Sequence, residues 1–432
     1  GKFNILAPPL FKKPALKNKN ITAIVYKLKI DDGFIHIEDR LKGFKKDIVK
    51  FDGDLTLSLP DSFKVRAGFI SHPPRNTKFT IWAKYNLKSS LLESKFKFLN
   101  LAIEEFKPYL AGLAFEINSS FLSGDFTLNL DKEKALYLKG NTSMEKIDFR
   151  RGFTFKGDMD ASFEAQGYIK KINYAKFSIN SVLKNVSIGG LPRNIEINSI
   201  NGPLIITDKK LESSGLKGKI FGSPITTSGS LENFKNPKLD ISGEIKDLNI
   251  IDCKEIIASL KKNTPNSTAI SGKLDIKFKY SSFIKETENA KFMINSVLKN
   301  VALSGLPHIG NIDSINGPLD ISERSAETTG VSGKFLTNTF LAKGSLKDYK
   351  NPALHLVINS NEFNVSDYLK LLPAKFKDKL KGAELSGKSS FNLVFEKIFA
   401  EEKPSIFEAK LSLTNTFFKN LKPEIELKEI GG

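Results

Sequence analysis

Lys273-Leu-Asp-Ile-Lys-Phe-Lys-Tyr280 alternates polar and apolar residues without a break. An extended backbone therefore places Leu274, Ile276, Phe278 and Tyr280 on one face and the lysines on the other. The same period of two governs Lys95-Phe-Lys-Phe98, which puts Phe96 and Phe98 on one side. It returns in Phe126, Leu128 and Leu130, and again in Phe391, Leu393 and Phe395. Segments of this kind, separated by Asn-Gly, Ser-Gly and Asn-Pro turns at roughly 8–14-residue spacing, predict antiparallel meanders with one apolar and one wetted face. The fold class is all-β with minor helix.

Working outward, the chain repeats itself. Ala175-Lys-Phe-Ser-Ile-Asn-Ser-Val-Leu-Lys-Asn-Val186 recurs as Ala290-Lys-Phe-Met-Ile-Asn-Ser-Val-Leu-Lys-Asn-Val301, and Ser199-Ile-Asn-Gly-Pro-Leu204 recurs as Ser314-Ile-Asn-Gly-Pro-Leu319. Gly229-Ser-Leu231 matches Gly344-Ser-Leu346, Lys235-Asn-Pro237 matches Lys350-Asn-Pro352, and Ser271-Gly-Lys273 matches Ser386-Gly-Lys388. All these pairs share one offset of roughly 115 residues, which is a tandem duplication. Weaker copies flank it, with Phe51-Asp-Gly-Asp-Leu55 and Ser123-Gly-Asp125 upstream and Ala409-Lys-Leu-Ser-Leu413 downstream. The expected organisation is a linker or incoming strand over 1–20, a divergent unit over 21–170, units over 171–285 and 286–404, and the start of a truncated fourth over 405–432.

Each unit carries one expected helix at a matched place. Asp252 and Glu255 have capping-box spacing ahead of Ile256, Ile257 and Leu260, with Cys253 in the first turn. Ser366 or Asp367 can cap a helix bearing Leu369 and Leu372 that stops near Pro373. Phe106, Tyr109, Leu110 and Leu113 form the third, with Pro108 confined to its first turn. These short amphipathic helices either plug one end of the strand layer or touch a membrane.

With 432 residues the chain can bury an extensive apolar surface, and one cysteine, Cys253, excludes an internal disulfide and Cys-based metal sites. The four histidines, His36, His72, His308 and His355, show no metal-ligand spacing, and no cofactor is expected. Against 48 acidic residues stand 66 Lys and Arg, a net charge of +18. That excess reads either as a Lys-rich solvated face or as a surface for anionic lipid. The lysines are scattered singly, which argues against nucleic acid. The chain starts at Gly1, holds no apolar run of 18 residues and stops within a repeat, so it reads as a piece of a longer protein.

Gly382-Ala-Glu-Leu-Ser-Gly-Lys-Ser389 spells a phosphate-binding P-loop, but that loop must leave a parallel strand and open a helix. Here a strand pattern follows the motif, and the matched stretch from Ser267 to Leu274 lacks the first glycine and the last hydroxyl. A turn into a strand is the expectation, with no nucleotide. No nucleophile elbow, His-Glu-x-x-His or recurring acid pair is present, and the chain is not expected to be an enzyme. His36 shares a strand face with Glu38 and reads as structural.

Lys27-Leu-Lys-Ile-Asp-Asp-Gly-Phe-Ile-His-Ile-Glu-Asp39, followed by an Asn-Gly-Pro-Leu strand start, a Gly-Ser-Leu and Asn-Pro turn and a Leu-Asn helix entry, resembles the AsmA-like superfamily that includes TamB and YhdP. The resemblance spans the chain after Asn20 and rests on the order and repetition of its motifs. It implies a long, twisted β-groove in the periplasm of a double-membrane bacterium, on a parent protein anchored in the inner membrane by an N-terminal helix absent here. It also implies bridge-like phospholipid transport or support of outer-membrane assembly, with acyl chains and the membranes as partners. The residues expected to line such a groove are Phe96, Phe98, Phe126, Leu128, Leu130, Leu274, Ile276, Phe278, Phe391, Leu393 and Phe395. The alternative is a structural rod or adhesin in which the same residues form a sealed sandwich core.

Overall fold

The computed structural model describes residues 24–59, 61–72, 77–110, 116–150, 152–169, 174–191, 194–253, 269–306, 310–371, 382–399, 405–421 and 424–432. They form 22 strands, all in one antiparallel sheet. Among the described residues no pairing joins the first strand to the last, so the sheet is open.

The strands β1 to β5 are Ile24–Asp39, Phe44–Leu59, Ser62–His72, Thr77–Asn86 and Leu91–Ala102. Next come β6 Glu116–Leu130, β7 Ala135–Arg150, β8 Thr154–Tyr168 and β9 Lys176–Leu191. They are followed by β10 Ile195–Thr207, β11 Lys210–Ile220, β12 Ser223–Glu232, β13 Lys238–Asn249 and β14 Ala269–Phe283. β15 Lys291–Leu306, β16 Gly310–Ser322, β17 Ser325–Phe335, β18 Asn338–Lys347, β19 Ala353–Asn364 and β20 Glu384–Ile398 repeat the lengths of β9 to β14 in order. β21 Ile406–Leu421 and β22 Glu424–Ile430 end the series. From β9 onward every strand start therefore keeps the offset of roughly 115 residues seen in the sequence.

Between strands lie short helical turns. A 3-10 turn Ile103–Phe106 runs into an α-turn Lys107–Leu110, with Pro108 early in it as its missing N–H requires. Ile250–Cys253 is a 3-10 turn, and Val365–Asp367 runs into Tyr368–Leu371. Leu113, Glu255, Ile256, Ile257, Leu260, Leu372 and Pro373, on which the expected helices depend, lie outside the described residues. The stretch from Glu384 to Ser389, inside the P-loop spelling, belongs to β20 and pairs with β19 and β21 as strand.

By internal contacts the residues fall into two compact units. One comprises Gly1–Leu113, Ser119–Met144 and Ser162–Phe177, and the other comprises Ala114–Asn118, Glu145–Ala161 and Ser178–Gly432.

β-Bulges interrupt the alternation at matched positions. Asn185 and Asn300 have φ of 48°, and Asp247 has φ of 50°. Each donates its backbone N–H to a side-chain oxygen of the next strand, Asn201, Asn316 or Asp275, at 2.9 Å. The short polar residues tolerate the left-handed backbone, and the bulge shifts the register there. Opposite Asn300, Gly272 adopts φ of 115°, and a Cβ there would stand 2.6 Å from the Val301 Cα, so only glycine fits. The consequence for packing is that residues three apart share the apolar face, as with Leu183 and Val186 or Ile245 and Leu248, all of them buried.

Candidate functional site

In the first unit the strand register lines up one apolar row, Ile30, Gly53, Ala67, Ile81, Phe96 and Phe126, each paired with the next across β1 to β6. On the same face, phenylalanine rings run from strand to strand. Phe69 and Phe79 lie 4.7 Å apart, Phe79 and Phe98 6.4 Å, Phe98 and Phe126 4.9 Å, and Phe126 and Phe163 5.0 Å. Offset stacking of this kind adds to the burial each ring gains from its neighbours. Ser94 sits within this face, and its hydroxyl donates to the Leu128 carbonyl at 2.8 Å, so the buried polar atom costs little.

The opposite face is wet. Lys29, Asp54, Arg66, Trp82, Lys95 and Thr127 form the adjacent row in the same register. They border a furrow of about 730 Å³ over β1 to β7, whose lining also includes Ile30, Ala67, Ile81, Phe96 and Phe126. Part of the excess positive charge is balanced here, since Lys27 reaches Asp54 at 3.7 Å and Lys97 reaches Asp125 at 3.9 Å. Exposed pairs like these contribute little to stability.

In the second unit the apolar face is aliphatic over β9 to β16. Leu183, Val186 and Ile200 form one buried cluster, and Ile225, Ile245 and Leu248 form another with Leu274, Ile276 and Phe278 packed against it. Ile250, from the helical turn, joins Val301 and Ile315 in a third. Ser181 and Ser296 repeat the device of Ser94, donating to the carbonyls of Leu204 and Leu319 at 2.8 and 2.7 Å.

Further along the same unit, β16 to β21 border an apolar hollow of about 500 Å³. Phe335, Phe340, Phe363, Phe391 and Leu393 line it, with Leu411 at its lip. Beside it, Asp367 is buried at 2% exposure and accepts hydrogen bonds from Thr337 Oγ1 at 2.7 Å, Asn338 Nδ2 at 2.6 Å and Lys370 Nζ at 2.7 Å. Burial alone would raise this carboxyl, but the bonds from Lys370, Thr337 and Asn338 outweigh it and hold it below the usual aspartate value. Asp252, the matched residue one repeat earlier, is exposed. Next to it, burial and then the Asp252 charge push the Cys253 thiol upward.

The expected lining residues thus occupy β5, β6, β14 and β20. Phe98 is buried, and the other ten are half-buried. Phe96, Phe98 and Phe126 share the aromatic face of the first unit, where Leu128 and Leu130 pair with Ser94 and Leu92. In the second unit Phe391 and Leu393 border the hollow, whereas Phe395 pairs with Leu356 and Phe407 beyond its lining. Sequence reasoning missed Phe69, Phe79, Phe340, Phe363 and Tyr368. For the four phenylalanines the signal was the same alternation, in strands shorter or more interrupted than those first recognised, whereas Tyr368 stands in a helical turn. His36 makes a bond of 2.6 Å between its Nδ1 and Asp47 Oδ1 on the wet side, away from both apolar rows. Among the described residues no three His, Cys, Asp or Glu side chains are grouped to hold a metal ion, and no helix is long and apolar enough to cross a membrane. Compared with protein-family models and with curated proteins, the chain matches none.

Proposed function

We propose that this chain is a non-catalytic segment of a bacterial envelope protein whose apolar sheet face carries phospholipid acyl chains across the periplasm, between inner and outer membrane or in support of outer-membrane assembly. The observation that carries the reading is an open sheet whose apolar rows stay half-exposed: Phe126, Ile276, Phe278, Phe391 and Leu393 are neither buried nor free. Large apolar side chains left partly open to water on one face of a sheet favour an apolar occupant. A buried CH₂ is worth about 0.8 kcal/mol, so a sixteen-carbon chain leaving a membrane unaided faces roughly 13 kcal/mol. Rows of Phe, Leu and Ile lower that barrier by covering the chain, while the lysines of the other face keep the sheet wetted. The similarity of the repeated motifs to the AsmA-like superfamily points the same way, and implies an inner-membrane anchor on the parent protein.

A photoreactive amino acid in place of Phe278, compared with one in place of its outward neighbour Lys277, tests the reading in cells that make the parent protein. Lipid adducts at 278 and not at 277 are expected. Equal yields at the two positions, or none at either, would favour the rod with a sealed core.

A further inference from the structure

Away from the apolar rows, the wet face of the first unit carries a charge that matched strands elsewhere do not. β3, β4 and β5 have 11, 10 and 12 residues and lead into a helical turn. β11 to β13 and β17 to β19 repeat those three lengths and that turn, so the three sets are matched places of one module. In the first set Lys64, Arg66, Lys78, Lys84, Lys95 and Lys97 stand against a single carboxylate, Glu93, a net charge of +5. β11 to β13 balance five lysines with five carboxylates, and β17 to β19 hold three lysines and two glutamates. The first set also leaves its charge open. Among the described residues Lys97 alone of the six cations makes an ion pair, with Asp125 at 3.9 Å. In β11 to β13, by contrast, Lys210 is held by Glu212 at 2.6 Å and Lys238 by Asp240 at 2.9 Å.

At the centre of the basic face stands Trp82, the only tryptophan of the chain. It lies directly across from Arg66 on one side and Lys95 on the other. Counted along the strands, the places of Arg66, Trp82 and Lys95 hold Ser214, Ser228 and Ser242 in β11 to β13, and Thr329, Lys343 and Val357 in β17 to β19. Ser228 and Ser242 spend their hydroxyls on each other at 3.1 Å. Trp82 is half-buried, and its neighbours along the strand on that face, Thr80 and Lys84, are polar, so the indole has no apolar cluster to join there. An indole among unpaired cations suits the headgroup level of a membrane, where the ring is partly apolar and partly wetted. Directly opposed residues on neighbouring strands lie about 5 Å apart, well inside one screening length, so these cations act together on an anionic surface.

We infer that the wet face of β3 to β5 docks on a bilayer surface carrying anionic phospholipid, with Trp82 at headgroup level between Arg66 and Lys95. A nucleic acid is the poorer fit, because a platform for single strands stacks successive bases on several aromatic rings and this face offers one. The inference is separate from the acyl-chain reading, which concerns the opposite face of the sheet.

As the only tryptophan, Trp82 reports on its own site. The purified full chain is titrated with vesicles of phosphatidylcholine alone, or of phosphatidylcholine and phosphatidylglycerol at about 7:3. Trp82 emission should move to shorter wavelength with the mixed vesicles and not with the neutral ones, and the shift should vanish near about 1 M salt. Brominated lipid in the mixed vesicles should quench Trp82, which reads the same contact without any substitution. The variant R66S/K95S, at two exposed positions, installs the serines of β11 and β13 and should weaken binding about thirtyfold while the strand signal in circular dichroism is kept. K217S/K219S removes the same charge from exposed positions of β11 and should change binding by less than about twofold. Emission unmoved and unquenched by the mixed vesicles overturns the docking face, and so does equal weakening by the two variants, which would mean attraction by net charge alone. A shift with single-stranded DNA and none with vesicles overturns it in favour of a nucleic acid.

Discussion

Replacing Asp367 by alanine should loosen β19 and β20 far more than the same change at Asp252, although the two residues occupy matched places in the repeat. The Asp367 side chain is 3% exposed and its ion-pair partner Lys370 is 59% exposed. On truncation Lys370 and Thr337 turn to water, but the buried Asn338 amide loses its acceptor. An orphaned buried polar group costs about 1–3 kcal/mol, and the exposed Lys370 leaves no buried charge behind, so a loss of about 2 kcal/mol follows. Amide hydrogen exchange on β19 and β20 reads this as a drop in protection of about thirtyfold. Asp252→Ala, at an exposed site, should stay within about 0.5 kcal/mol of the parent. The pH dependence has a definite sign. A carboxyl held below its ordinary value of 3.8 stabilises the fold fully above that value, and the contribution disappears as pH falls through the lower folded value. Asp367→Asn should therefore remove part of the acid sensitivity of β19 and β20. Equal losses of protection in D367A and D252A, or an unchanged acid profile in D367N, would refute the reasoning.

Three further outcomes can be measured. Phe98→Ala removes a ring that is 8% exposed and stacked on Phe126, and should destabilise the first unit by about 3 kcal/mol in urea unfolding, against under about 1 kcal/mol for its exposed neighbour Leu99. Gly272→Ala forces a Cβ to 2.6 Å from the Val301 backbone at φ of 115° and should cost about 3 kcal/mol; Gly222→Ala, with φ of 76° and open space, should cost about 1 kcal/mol. Cys253, with its thiol pushed upward by burial and by Asp252, should react with a maleimide at neutral pH about tenfold more slowly than in the urea-unfolded chain.

Much of this architecture was legible in the sequence. Alternation in Lys273–Tyr280 and its relatives is a direct imprint of the pleat, and the duplication carries strand lengths with it, so β9 to β14 predict β15 to β20. What period two does not carry is the bulge. In Ser-Val-Leu-Lys-Asn-Val186 the buried apolar residues are Leu183 and Val186, three apart, because Asn185 takes a left-handed backbone supported by the hydrogen bond to Asn201 on the next strand. Cross-strand features were hidden for a related reason. The phenylalanine row draws one ring from each of several strands, and neighbours in it such as Phe98 and Phe126 are far apart along the chain. The apolar hollow was hidden too, since Phe335, Phe340, Phe363 and Phe391 reach it from four different strands.

In both units the described pairings join strands that are also neighbours in sequence, such as β3 with β4 or β17 with β18. That pattern has a mechanical meaning. Tension that pulls an outermost strand sideways from its neighbour opens the backbone hydrogen bonds one after another, like a zip, whereas a sheet whose terminal strands lie side by side must break many together in shear. The protein should therefore yield to force in small steps of one hairpin. Each released hairpin needs only a short loop to close again, which takes about 1–10 μs for an isolated hairpin, so a stretched molecule recovers quickly once the load is gone.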